Sequence, residues 1–275
     1  MQPLRLPAQL AFVLLLGICA AMQSAPATQP ATGPATAPAD EPPQVTEALE
    51  RMARAYAAVG PLRLEATVTG DYDAAGRATS HEVRFTSVLH DDGRFRHEIP
   101  GELIIAADGE ATYVYVPAAL RYYRTPHDEA ATVAQKLGEQ AQKSLADHNP
   151  SLLLALVDDP AQALRDLGDL EIAEAPAGLR LTPPDGSIWT FSFSPQTGLL
   201  SDVQVDESQA LKVAGVPDVK RATRRVQYTL VEPGAQPADD VLAFRPPESA
   251  QEVEPAQPGG RAAPVEEEAD APRRD

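Results

Sequence analysis

Cysteine is nearly missing from this sequence. The single one, Cys19, sits in an apolar N-terminal run. A chain cleaved after that run keeps no thiol, which excludes disulfides, thiol catalysis and thiolate metal ligands from the folded part. Positive charge is scarce too. With 23 Lys and Arg against 40 Asp and Glu, the net charge is −17, which excludes nucleic-acid binding because phosphates must be met by cations. Such a charge suits a soluble protein that resists self-association, and a monomer is expected. The histidines His81, His90, His97, His127 and His148 are scattered, and only His90 and His97 lie close, each beside acidic residues. A metal site needs three or four convergent ligands. Ser24 and Ser194 lie in no nucleophile motif, and no phosphate-binding loop is present. The chain therefore reads as a binder and not an enzyme, with no catalytic residue, metal or cofactor expected.

Both ends are poor folding material. Residues 1–25 have the form of an export signal: Arg5 supplies the positive start, and Leu10 to Ala21 is an apolar run too short for a comfortable membrane span. Cys19-Ala20-Ala21 places small residues where a signal peptidase reads. Leu16-Gly17-Ile18-Cys19 is similar to a lipobox, although Ile18 stands where a small residue is usual. Secretion with plain cleavage and lipid anchoring through Cys19 are both open, and either puts the domain in the periplasm. Residues 26–44 form a Pro/Ala/Thr-rich linker with too little to bury to offset the entropy of ordering. Residues 248–275 form an acidic tail of the same kind, leaving one domain at 45–247.

What is present is a run of strands. Arg94 to Arg124 reads as four consecutive antiparallel strands, cut by turns at Pro100-Gly101, Asp108-Gly109 and Pro117 to Leu120. Asp-Gly between apolar runs predicts a type I′ hairpin. Tyr113 and Tyr115 share one face, with Thr112, Val114 and Val116 on the other. Before this meander, the stripe Val45, Ala48, Leu49, Met52, Ala55, Tyr56, Val59 predicts a helix ended by Gly60-Pro61. Strands follow over Leu62 to Gly70 and Ser80 to His90, with residues 71–79 as a polar loop. After it, residues 128–167 lose alternation and read as helices broken at Asn149-Pro150. Strands resume from Leu170. Ser187 to Phe193 carries Trp189, Phe191 and Phe193 on one face, and Leu211 to Val219 fits short helix or coil equally. Arg221 to Val231 is the last long strand, and Val241 to Arg245 reads as an extended segment docked by Phe244.

This makes a mainly β (α+β) domain of about eleven strands. Two helical segments are too few to cover both faces of such a sheet. It must curl or close toward a barrel, with the helices plugging the concavity.

The order of these pieces resembles the LolA/LolB-like lipoprotein-carrier superfamily, and within it the periplasmic LolA-like proteins of unknown function. The resemblance rests on the leading helix Ala48 to Val59, Arg94-Phe95-Arg96 opening a strand, and Ala107-Asp108-Gly109 before Tyr113-Val114-Tyr115. It continues through Phe191 and Phe193 before Pro195-Gln196-Thr197-Gly198-Leu199-Leu200, to Phe244-Arg245-Pro246-Pro247. His97 stands where the carriers usually have Trp. The resemblance implies a curled, unclosed antiparallel barrel with a helical lid. It implies a carrier or chaperone sheltering a lipid, an acyl chain or an acylated protein in an apolar concave cavity.

The candidate lining is Leu64, Ala66, Val68, Val83, Phe85, Tyr113, Tyr115, Trp189, Phe191 and Phe193 from strands, and Leu137, Leu152 and Leu153 from the insert. Ordinary core packing accounts for the same residues. Arg94 and Arg96 have two readings: an anionic headgroup site at the cavity mouth, or cross-strand pairing with Glu98, Glu102 and Glu110. The alternative function is a regulatory or scaffold module of the cell envelope that binds a partner protein on the same fold, as in sensors of the RseB type.

Overall fold

The computed structural model of the protein describes residues 41–173 and 178–254. The export signal, most of the linker and the tail beyond residue 254 lie outside the described residues. Helix α1 spans Pro43–Ala57. Strands β1 (Leu62–Ala74), β2 (Arg77–Leu89), β3 (Phe95–Ile99), β4 (Leu103–Ala107), β5 (Ala111–Val116) and β6 (Arg121–Pro126) follow. Three helices then form the insert: α2 (Val133–His148), α3 (Pro150–Leu156) and α4 (Pro160–Leu167). The second half is β7 (Asp169–Ala173), β8 (Gly178–Thr182), β9 (Ile188–Phe193), β10 (Leu200–Asp206), α5 (Ser208–Val213) and β11 (Arg221–Pro233). A short helix α6 (Asp239–Leu242) and strand β12 (Gln251–Glu252) end the described chain. No described helix is long and apolar enough to cross a membrane.

All 12 strands form one sheet in the order β12-β6-β5-β4-β3-β2-β1-β11-β10-β9-β8-β7. Two meanders, β1 to β6 and β7 to β11, are joined by the antiparallel β1–β11 pair. Only β12 is parallel to its neighbour. The sheet does not close, since β7 is not paired with β6 or β12. The expected unclosed, mainly β architecture with helices is what is observed, with a twelfth, two-residue strand added at the edge.

Apolar periodicity explains which face is covered. On β1, Leu62, Leu64, Ala66 and Val68 point inward and are buried. Pairing brings Phe85 of β2 opposite Ala66, and Val226 of β11 opposite Val68. Helix α1 lays Val45, Leu49, Met52 and Tyr56 against this face, while Glu47–Arg51 and Glu50–Arg54 pairs face water. The insert contributes Leu137, Ala141, Leu145, Leu152 and Leu164 to the same core.

The insert breaks where its sequence dictates. Thr132 and Gln135 form a reciprocal capping box at the start of α2. Asn149 and Asp159 each cap a new helix with a proline immediately inside it. Within α2, Gly138 adopts φ +72°, and a Cβ there would lie 2.5 Å from Thr125 Oγ1 on β6. The helix kinks at that point and brings Leu137 into the core.

Three local expectations are corrected. Residues 71–79 are not a loop: β1 and β2 continue to a tight turn at Ala75 and Gly76, both at positive φ, because Tyr72 and Asp73 pair with β11 as well as β2. The Asp108-Gly109 turn is not type I′, since only Gly109 has positive φ; the Asp108 carboxylate instead accepts from the N–H groups of Glu110 and Ala111. Val241 to Arg245 is not extended throughout, because α6 takes up its first residues before Phe244 docks.

Gly138→Ala adds both strained φ and overlap with Thr125. It is expected to destabilise the protein by roughly 1–3 kcal/mol in urea unfolding; an unchanged midpoint would show that the kink is dispensable.

Candidate functional site

The inner face and its helical cover bring together ten of the sequence-derived candidates. Leu64, Ala66, Val68, Phe85, Phe191, Leu137 and Leu152 are buried in one cluster, with Val83, Trp189 and Phe193 packed at its margin. Leu153 is also at the margin.

Tyr113 and Tyr115 do not join them. Val114 pairs with Ile105 on the inner face, so the tyrosines point to the outer face. There they meet Phe244, at ring distances of 5.6 and 5.9 Å. Arg94 and Arg96 are on that outer face too. Arg94 binds Asp92 and Asp239 at 2.7 and 2.9 Å, and Arg96 binds Glu98 at 2.8 Å beneath the Phe244 ring. The expected cross-strand pairing with Glu98, Glu102 and Glu110 is not what forms: Arg96 meets Glu98 along its own strand, and Arg94 meets Asp92 and Asp239.

Across the apolar interior runs a chain of polar groups that no sequence spacing announces. His97 Nδ1 is 2.8 Å from Ser87 Oγ. Asn149 donates from Nδ2 to Ser87 at 2.9 Å, and accepts at Oδ1 from the Tyr228 hydroxyl at 3.1 Å. The Ser151 N–H donates to Tyr228 at 2.9 Å, and Ser151 Oγ lies 2.7 Å from the Tyr56 hydroxyl. This chain ties β2, β3, β11 and α1 to the α2–α3 junction. Burial pushes Tyr56 up to about 12 and raises Tyr228 well above its ordinary value. Burial, with His148 nearby, lowers His97 to about 3, so it is neutral at physiological pH.

Ser87 and His97 are hydrogen-bonded as a nucleophile and base would be. They are 2% and 0% exposed, however, so the pair serves as a peg with no path for substrate. The one signal of this network in the sequence is the Asn149-Pro150 break, because a polar residue there both caps a helix and reaches inward.

A second attachment lies one turn away. Arg224, on β11, is 6% exposed and binds Asp147 of α2 and Glu207 at 3.1 and 3.0 Å, with the Trp189 ring 5.5 Å from its guanidinium. It also donates to the Asp147 carbonyl. Burial alone would lower its pKa, but Asp147 and Glu207 reverse the sign and raise it. Gly70 makes room in this row, since a Cβ there would strike the His81 ring at 2.2 Å.

At the opposite rim, a groove of about 590 Å³ opens between the end of α1, the β2–β3 turn and the α3–α4 connection. Its apolar wall includes Ala53, Val59, Leu89 and Leu156, and His90 and Asp158 stand among its polar lining. Its volume is in the range of small-ligand sites.

No family model matches the sequence, and no curated protein matches it. The structure is similar to several solved ones. One is a Pseudomonas aeruginosa MucA/MucB complex, at 19% identity and TM-score 0.35, covering 76% of this chain and 63% of that one. The described protein thus spans less than two thirds of that neighbour. A LolA superfamily protein from Nitrosomonas europaea matches at 9% identity and TM-score 0.35, covering 73% and 97%. Mycobacterium tuberculosis lipoprotein LppX matches at 9% identity and TM-score 0.30, covering 71% and 99%.

Neutral burial of His97 has a pH consequence. Its folded pKa is depressed below the unfolded value of 6.5, so the unfolded chain binds the extra proton. Stability is full above about pH 6.5 and falls as pH drops toward 3, by up to about 1.4 kcal/mol per pH unit for this group. Denaturant titrations should show a shallower acid slope in His97→Asn than in the parent chain; equal slopes would remove His97 from the acid response.

Proposed function

We propose that the protein is a non-catalytic binding protein of the periplasm that shelters an acyl chain, presented by a lipid or an acylated protein, beneath the helical insert. One observation carries this reading. The cover over the inner face makes mostly apolar contact, and its polar attachments are few: a group at the α2–α3 junction, residues 147–151, and the Arg165–Glu41 ion pair at 3.0 Å. A cover held in this way can bow away from the sheet at the junction once the attachments there yield. Exposing the face it hides is unfavourable, and an acyl chain offsets that at about 0.8 kcal/mol per buried methylene. The rim groove supplies an entry beside the α3–α4 connection.

A second reading, a regulatory or scaffold module, is favoured by a different observation. Leu64, Phe85, Phe191 and Leu152 are each at most 2% exposed, so the inner face is filled in the described state.

Tyr228→Phe separates the two. It deletes the donor to Asn149 and the acceptor of the Ser151 N–H, weakening the cover by about 1–3 kcal/mol. Roughly 5- to 100-fold faster hydrogen exchange over α2 and α3 is expected, with faster uptake of a fluorescent fatty acid. Native mass spectrometry of the parent chain should show a co-purifying lipid. Protein that carries no lipid and ignores fatty acid, phospholipid and acylated peptide, with and without this substitution, sinks the carrier reading.

A further inference from the structure

The arginines singled out in the sequence are left unused by the inner face. The outer face of β3 to β6 carries Arg94, Arg96 and Arg124 beside Tyr113, Tyr115 and Tyr122. In a chain of net charge −17 this is a concentration of arginines, with Asp92 against Arg94 and Glu98 against Arg96 as the acids beside them. Residues 239–254 lie across it as a strap. Leu242 and Phe244 are its buried anchors, 1% and 7% exposed. Phe244 packs on Tyr113, Tyr115 and Arg96 as a small core of its own, separate from the main one.

Acidic groups flank these anchors. Asp239 binds Arg94 at 2.9 Å, and Glu252 accepts from the Tyr122 hydroxyl at 3.1 Å. Beyond Pro247 the strap adds to the β6 edge as a parallel strand, the N–H groups of Gln251 and Val253 donating to the carbonyls of Leu120 and Tyr122.

We propose that this face is a peptide-docking surface. Its partner is an acidic segment of another protein carrying two apolar anchors two residues apart, the second aromatic, and the strap is the internal occupant that such a segment displaces. Three features fit that role. The anchors, the charge pairs and the edge pairing are all met within one short segment. That segment follows a turn, residues 234–238, whose Gly234 sits at positive φ and whose side chains enter neither core cluster. Its apolar core shares no residue with the main core, so its departure removes only the two-residue β12 from the sheet and leaves β1 to β11 and the main core in place. Edge addition plus alternate side-chain pockets is the usual logic of strand-based peptide recognition, and an aromatic anchor beside arginines is the usual energetic centre of such interfaces. The surface is independent of whether the inner face takes a lipid.

The test uses the full chain with a protease site inserted in the 234–238 turn. After nicking, a fluorescent synthetic peptide of residues 236–254 should replace the resident strap, seen by anisotropy and by the mass of the released segment. The peptide bearing Phe244→Ser, or Lys at its Asp and Glu positions, should bind at least tenfold more weakly, as should the native peptide to a chain with Arg96→Glu. In the intact chain, hydrogen exchange at Gln251 and Val253 should be at least tenfold faster than at Val114. Equal protection at those sites, no exchange under excess peptide, or equal binding of the charge-reversed peptide overturns the proposal. So does strap exchange solely between copies, giving dimers that refuse the peptide.

Discussion

The hydrogen bond from the Tyr228 hydroxyl to Asn149 is the constraint around which the interior is arranged. Asn149 sits where two lid helices meet, caps the second, and reaches Ser87 on the sheet. Tyr228 returns the favour by accepting from Ser151. Leucines alone would let the lid slide over the inner face, because apolar contact has no direction. A buried amide that must find its partners admits one placement. The same economy explains Ser87, which satisfies both Asn149 and His97 in a region otherwise lined by Phe85 and Leu64.

The α2–α3 corner of the lid is thus held by two polar attachments of different kind, and α4 by the Arg165–Glu41 ion pair. The Asn149 network is neutral and sealed. The Arg224 attachment is ionic, joins Asp147 and Glu207, and stands nearer the rim, where Asp147 keeps 29% of its side chain exposed. Removing either partner of such a buried pair costs more than the pair itself contributes. The rim groove lies at the other end, beside the α3–α4 connection, where the contacts are mostly apolar.

Much of the fold could be read from residues, because the turns that cut it are local. Pro100-Gly101, Gly198 and Asn149-Pro150 stop elements wherever they occur. The extension of β1 through Tyr72 was not legible, since it depends on Ala222 and Arg221 across a distant strand. Alternation put Tyr113 and Tyr115 on one face but could not say which; that choice is made by Val114 meeting Ile105 and by Phe244 arriving from the far end. The apolar inner candidates were legible for the same reason that core residues are. His97, its partner Ser87 and the link to Tyr228 have no spacing to betray them.

The insert leaves β6 and returns at β7, so its two ends are fastened at opposite margins of an unclosed sheet. It is a chord drawn across an arc. A flap hinged at one side could swing clear without disturbing what lies beneath; a chord cannot. It lifts only by bowing, at Gly138 or at the Asn149 corner, or by letting the margins draw together. Sheet curvature and lid position are therefore a single mechanical variable. Anything lodged between chord and arc bears on both ends of the insert at once.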